Sequence, residues 1–202
     1  MNYLFLSKVR RMDTFLSIAL GIGLAAACGF RVFVPLLMLS LAGAGGQIAL
    51  PAGFAWIASP QAITVFATAT CLEILGYYIP WLDHILDTIA TPSAVVAGTF
   101  ATAAVVADMP PLLQWSMALI AGGGMAGLVQ VSTVAMRAKT SLATASAANP
   151  LFSTLELAAA IALALLAIFL PLVCLILIVI FCFGLIKKAA RRLAGKAARR
   201  EE

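Results

Sequence analysis

Residues 151–186 read LFSTLELAAAIALALLAIFLPLVCLILIVIFCFGLI, an apolar run in which Glu156 is the single charged residue. As one helix this run would be about 54 Å long at about 1.5 Å per residue, whereas the hydrocarbon core of a bilayer is about 30 Å thick. Pro171 stands near its middle and can end a helix, because proline has no backbone N–H. The run therefore predicts either one overlong helix or two membrane-spanning helices that meet at Pro171.

The composition of the whole chain agrees with a membrane environment. Of its 202 residues 63% are hydrophobic and only 10% are charged, which is too little charge to cover the surface of a soluble domain. Four further apolar runs, at 14–39, 61–79, 92–107 and 112–136, approach or exceed the roughly 20 residues that a spanning helix needs. The composition predicts an all-α integral membrane protein.

The basic residues decide between the two counts of helices. All of them except Arg31 flank the apolar runs, in the segment before residue 14, in the loop that begins at Arg137, and after residue 186. The positive-inside rule places such residues on the cytoplasmic side. A six-helix bundle puts them all there, whereas five helices would separate the two termini. We therefore expect six spans, with five as the alternative, and both termini on the cytoplasmic side of the membrane.

This topology divides the chain into three parts. Residues 1–13 form a basic cytoplasmic segment, 14–186 the transmembrane domain, and 187–202 a basic cytoplasmic tail. The segments IALGIGLAAACG and ALIAGGGMAGLVQ are weakly similar to each other. Such similarity is compatible with a 3+3 inverted repeat, in which two groups of three helices have opposite orientations in the membrane. This arrangement is common in transporters.

Four ionisable residues fall within or at the ends of the predicted spans: Arg31, Glu73, Asp108 and Glu156. Each costs about 2.5–3.5 kcal/mol at mid-helix on insertion scales, so each needs a function or a partner. Counting along unbroken helices places Arg31 and Asp108 toward the external face, where they could pair, and the two glutamates in the cytoplasmic third. They are candidates for a substrate or ion pathway; the alternative is that they hold helices together.

The segment WLDHILDTIA after Pro80 places Asp83 and Asp87 on one helical face and apolar residues on the other. We expect a short amphipathic helix in the cytoplasmic interface. Its polar face is either simply solvated or, with His84, a rim that collects cations or protons for Glu73. A metal site is disfavoured because His84 points about 100° away from Asp83 on a helix.

Small residues recur every four positions at Gly21, Ala25 and Gly29, and again at Gly123 and Gly127. This spacing lets helices approach closely. The alternative for the glycine triplet 122–124 is a locally unwound helix that exposes backbone groups to a substrate. The four cysteines lie in apolar runs without a metal-binding spacing, so we expect them to pack, and we expect no metal and no cofactor.

The basic tail 187–202 indicates a lipid partner rather than a nucleic acid. Each lysine or arginine near an anionic membrane surface contributes about 1 kcal/mol of attraction. The tail has no aromatic residue on which bases could stack. We expect contact with anionic headgroups, a homo-oligomer, and no nucleic acid.

Four stretches of the chain resemble the bacterial family called domain of unknown function 4126. They are MDTFLSIALGIGLAAACGFRVFVPLL from Met12, EILGYYIPWLDHILDTIATPSAVVAGT, ALIAGGGMAGLVQ and NPLFSTLEL, and the resemblance extends over about Met12 to Lys187. It implies a multi-pass protein of a bacterial inner membrane and transfers no functional residue.

Two functions fit these observations. The first is a small transporter or channel-like protein for a solute or ion, which uses Arg31, Glu73 and Glu156 as embedded polar groups. The second is a non-transporting scaffold or assembly partner, in which the same charges serve helix contacts. An enzyme is not expected, because the sequence contains no recognisable combination of nucleophile, base or metal ligands.

Overall fold

The computed structural model describes residues 14–106, 109–144 and 149–198, which contain helices and turns but no strand. The all-α class is confirmed for this part of the chain. The elements in chain order are α1 (Thr14–Cys28), α2 (Phe33–Ala44), a 3-10 helix (Ala52–Ala58), α3 (Pro60–Gly76), α4 (Pro80–Val105), α5 (Pro111–Met117), a π-helical segment (Ala118–Gly123), α6 (Gly124–Thr144), α7 (Asn149–Phe169) and α8 (Pro171–Ala198).

Four segments of the described chain are long and apolar enough to cross a membrane. They are Thr88–Val105, Pro111–Lys139, Pro150–Phe169 and Pro171–Lys188. The 3-10 helix and α3 pass the same test together, with a bend of 61° between them, and bring the number to five. Helices α1 and α2 are apolar but have only 15 and 12 residues. The protein is therefore a multi-helix membrane protein.

The predicted single span over 14–39 is wrong, because the helix ends at Cys28 and a new one begins at Phe33. In a continuous helix the ring of Pro35 would clash with the carbonyl of residue 31 and would remove a backbone hydrogen bond. Within a first turn proline is tolerated, since N–H groups there have no helical partner. In the turn between the two helices, the backbone N–H groups of Gly29 and Arg31 donate to the carbonyls of Ala25 and Ala27 at the end of α1.

After this break the chain reverses its direction. Helix α1 runs antiparallel to α4, because the Thr102 hydroxyl donates to the Gly21 carbonyl at 3.0 Å while Ala25 lies beside Gly98. Helix α2 starts beside Glu73 and reaches Ala58, directly before α3, at its other end. Helices α1 and α2 thus form a helical hairpin, whose tip at 29–32 lies inside the bundle.

A second reversal occurs at Pro171. The Cys174 sulfur lies 3.9 Å from the carbonyl oxygen of Leu163, although a straight helix would separate these residues by about 16 Å. Gly23 of α1 is close to both Ala167 and Cys174. Helix α8 therefore turns back along α7, which is the arrangement that the two-helix interpretation of residues 151–186 predicted.

The two reversals place Thr14 and Lys188 at opposite ends of the bundle. Helix α8 runs parallel to α1, since Cys174 lies beside Gly23 and Phe181 lines the same cavity as Phe30. The topology predicted from basic residues instead placed both ends of the transmembrane domain on one side. It differs from the structure because it assumed that the first apolar run crosses the membrane; residues 1–13 lie outside the described part.

Residues 80–91 also differ from their prediction. They are not a separate amphipathic helix but the first turns of α4, which continues through Pro92 to Val105. The side chains of Asp83, His84 and Asp87 lie outside the described part of the structure.

The centre of the bundle consists of small residues in close helix contacts. A Cβ atom added to Gly29 would come within 2.6 Å of the Ala126 carbonyl oxygen, and one at Gly123 within 2.5 Å of the Thr99 hydroxyl. Gly21 lies against Thr102 and Gly127 against Val95 in the same way, and Ala25 is fully buried. Around the glycine triplet the helix widens into a π-helical segment but remains packed against α4.

Candidate functional site

Arg31 lies at the tip of the hairpin and is only 2% exposed. Its Nη2 atom donates a 3.0 Å hydrogen bond to the backbone carbonyl of Ser153 and lies 3.9 Å from a carboxylate oxygen of Glu156. Its Nε and Nη1 atoms are buried without a hydrogen-bond partner among the described residues. Arg31 is therefore a buried cation for which the described residues satisfy only part of the hydrogen-bonding capacity.

The closest ion pair of Glu156 is formed with Arg137, which lies on α6 and donates to the same carboxylate oxygen. Both side chains are buried. Glu156 is thus shared between two arginines, a close one on α6 and a more distant one in the turn at the hairpin tip. Such a buried network connects the hairpin to α6 and α7.

Tyr77 contributes the aromatic surface of this cluster. The guanidinium carbon of Arg31 lies 3.9 Å from the centre of its ring, and that of Arg137 lies 4.7 Å from it. Both distances are within the range of cation–π attraction, which is strongest when the groups are removed from water. Tyr77 follows α3 directly, so it joins the end of that helix to both arginines.

Glu73 occupies the N-terminus of α2. Its two carboxylate oxygens accept hydrogen bonds from the backbone N–H groups of Val32, at 2.7 Å, and Phe33, at 3.1 Å. The first N–H groups of a helix have no partner within the helix and carry a partial positive charge, so a carboxylate is favourable there. Glu73 therefore stabilises the broken end of the hairpin from a helix 40 residues away in sequence.

A cavity of about 330 Å³ lies beside this N-terminus, between α3 and α4. We call it the lateral cavity. Its lining includes Glu73, Tyr77, Leu72, Leu86 and Ile89. Leu72 and Ile89 are 64% and 55% exposed, whereas Glu73 is only 9% exposed. The cavity thus opens on the outer surface of the bundle and has the carboxylate at its inner end.

The structure brings together three of the four embedded residues that the sequence singled out. Arg31, Glu73 and Glu156 meet at the hairpin tip, so the prediction that Arg31 lies farther toward the external face than the two glutamates is wrong. The prediction failed because distance was counted along a helix that in fact ends at Cys28. Asp108, the partner considered for Arg31, lies outside the described residues, and Arg31 contacts Glu156 instead.

Two residues of the cluster were missed by the sequence analysis. Arg137 was assigned to a loop, but α6 continues to Thr144 and buries it. Tyr77 falls within the predicted span 61–79 and was not singled out. The burial of Arg137 could have been predicted, because Arg137 directly follows the apolar run 112–136. One further helical turn after that run includes it. Among the described residues, no three His, Cys, Asp or Glu side chains lie close enough together to hold a metal ion.

A family model described as Domain of unknown function (DUF4126) matches residues 18–191. The chain belongs to this family. The match confirms the resemblance seen in the sequence, and it includes every residue of the charged cluster. The family's description assigns no function. No curated protein and no solved structure matches the chain.

Proposed function

We propose that the protein is a small transporter or channel-like protein that moves a small solute or ion past the charged cluster at the hairpin tip. The observation that carries this proposal is the position of Glu73 at the N-terminus of a helix that begins inside the bundle. Irregular backbone at membrane depth is tolerated where it is buried in protein or lines a cavity. Discontinuous helices of this kind form the substrate and ion sites of many secondary transporters.

The same proposal includes an orientation. We place the protein in a bacterial inner membrane with five crossings, and the hairpin of α1 and α2 enters from one side without crossing. Three of the twelve flanking basic residues precede Thr14, and nine belong to the segment from Arg137 or follow residue 186. The positive-inside rule therefore favours the end with Arg137 and the basic part of α8 as the cytoplasmic one. Lys187, Lys188 and Arg191 lie near anionic headgroups there. The six-span bundle and the 3+3 inverted repeat remain predictions without support from this arrangement.

The cluster suggests how transport would work. A proton or cation that reaches Glu73 competes with the N–H groups of Val32 and Phe33 for the carboxylate. When the carboxylate is neutralised, the hairpin tip loses charge-assisted hydrogen bonds, which are roughly twice as strong as neutral ones. The tip and α3 can then separate, and the barrier at the broken helix opens.

Flux through reconstituted vesicles tests the proposal. Wild-type protein is expected to carry protons or a monovalent cation above the rate of empty vesicles, and Glu73→Gln is expected to reduce this flux strongly. The amide keeps the shape and an acceptor oxygen but cannot be charged. Thr68→Val, at an exposed position of the same helix, serves as the control and should keep wild-type flux. Absence of wild-type flux for all tested solutes would contradict the proposal.

A scaffold is the second candidate, and one observation favours it. Both oxygens of Glu73 are already bound by backbone N–H groups, which is the arrangement of a purely structural cap. In that case Glu73→Gln would lower stability and dissociate an oligomer, and neither it nor the wild type would carry flux. Size-exclusion chromatography of the same two proteins distinguishes this result from a loss of transport.

A further inference from the structure

We infer that the lateral cavity binds a lipophilic monocation, such as a quaternary ammonium or phosphonium with apolar substituents, that enters from the bilayer. That such a molecule is also transported rests on the proposed function; that it binds does not. The inference depends on the charge, the walls and the opening of the cavity.

The carboxylate of Glu73 lies at the inner end of the cavity, where its hydrogen-bond donors are neutral and the charge of Arg31 acts on it without an ion-pair contact. Glu73 is held by two backbone N–H groups, whereas the ion pairs of the cluster are made by Glu156 with Arg31 and Arg137. Each carboxylate oxygen can accept more than one hydrogen bond, so acceptor capacity remains. Because attraction between charges is much stronger away from water, a cation bound in the cavity would be a favourable additional partner of this carboxylate.

The walls determine which cation fits. Apart from Glu73, the lining is dominated by Leu72, Leu86, Ile89 and other apolar side chains. Calcium and magnesium need six or more oxygen ligands, which these walls do not offer. A cation whose charge is surrounded by alkyl or aryl groups instead contacts apolar walls on several sides and the carboxylate on one. The volume of about 330 Å³ suits a small organic molecule.

The position of the opening determines how a ligand reaches the lateral cavity. Leu72 and Ile89 lie at the mouth with more than half of their surface exposed. In a membrane-spanning bundle such side chains face lipid, so a ligand reaches the mouth after partition into the bilayer. Tyr77 lies at the inner end, where its ring already contacts Arg31. The ligand would therefore meet Glu73 directly and the two arginines only through this ring.

The test is equilibrium binding to purified protein in detergent, with tetraphenylphosphonium and the isosteric anion tetraphenylborate as probes. Specific binding is the part that disappears in Ala69→Phe, a substitution that fills the cavity from its α3 wall. Ala67→Phe, on the same helix but outside the lining, is the matched control. We expect the phosphonium to bind wild type and Ala67→Phe equally, and to bind Glu73→Gln at least tenfold more weakly. Tetraphenylborate should show no specific binding.

The outcomes separate the inference from the proposed function. Specific binding of the borate as tight as that of the phosphonium, or phosphonium binding that is unchanged in Ala69→Phe, would overturn the inference. Phosphonium binding without flux in vesicles would leave the site in place and remove the transport proposal. Proton or cation flux without phosphonium binding would support the transport proposal and remove the inferred binding site. If Glu73→Gln fails to fold, the comparison of Ala69→Phe with Ala67→Phe still decides the result.

Discussion

The carboxylate of Glu73 accepts a 2.7 Å hydrogen bond from the backbone N–H of Val32, 41 residues earlier in the chain. This bond joins α3 to the first turn of α2 and supplies a partner that the break after Cys28 makes necessary. An uncapped helix end inside a membrane bundle would leave buried N–H groups unsatisfied. The break, the cap and the charged cluster are thus parts of one arrangement.

The first prediction concerns this cap. Glu73→Ala should lower the free energy of unfolding by about 0.5–2 kcal/mol, the usual cost of losing a helix cap, because the N–H groups of Val32 and Phe33 lose their acceptor. Glu73→Gln should cost less, since its amide oxygen can still accept one of the two bonds. Thermal unfolding in detergent measures both variants. A Glu73→Ala protein that melts at the wild-type temperature would contradict the capping role.

The second prediction concerns the shared carboxylate. Glu156→Gln should destabilise the protein by about 3–5 kcal/mol, because it leaves the buried cations Arg31 and Arg137 without their carboxylate partner. The double variant Glu156→Gln with Arg137→Met should be more stable than Glu156→Gln alone, since one of the two uncompensated charges is removed. Chemical unfolding of the single and double variants gives the coupling between the two residues.

The control for this comparison is Arg191→Met, at an exposed position of α8, which should leave stability unchanged. If Arg137→Met and Glu156→Gln simply add in the double variant, the two residues do not form an energetically coupled pair. The role of Glu156 as a shared partner would then be refuted.

The third prediction concerns helix packing at the π-helical segment. A Cβ atom at Gly122 would lie 2.7 Å from the carbonyl oxygen of Gly98, so Gly122→Ala should cost about 1–3 kcal/mol through overpacking. At Gly124, two residues later, nothing lies within 4 Å of an added Cβ. Gly124→Ala should be neutral or stabilise the helix by up to about 1 kcal/mol. Equal melting temperatures for the two variants would show that this contact can relax.

Much of the fold could be predicted from the sequence. Apolar runs are long, and membranes require about 20 residues per span, so the helices from α3 to α8 were found with errors mainly at their ends. The reversal at Pro171 was also accessible, because a single helix of that length does not fit a bilayer. The break before Phe33 was missed because hydropathy does not distinguish a hairpin from a continuous helix. Pro35 was the residue from which the break could have been predicted, because proline disrupts the interior of a helix.

The site was predicted only in part, for a related reason. Arg31, Glu73 and Glu156 were selected because charges within a membrane are expensive. Their mutual contacts depend on the direction of α1, which composition cannot reveal. The burial of Arg137 depends on how far α6 continues inside the bundle. Pairing between helices is a tertiary property, and a single sequence contains no direct signal for it.

The last prediction concerns the two ends of the bundle. The hairpin returns to the end where α1 begins, so Thr14 and the loop at Gly46 lie on one side and the basic end of α8 lies on the other. In protein without native cysteines, cysteines introduced at Thr14 and Gly46 should react with a membrane-impermeant maleimide from the same side. A cysteine introduced at Lys188 should react only from the opposite side. If Thr14 and Lys188 were labelled from one side and Gly46 from the other, α1 and α2 would together cross the membrane once, and the hairpin arrangement would be wrong.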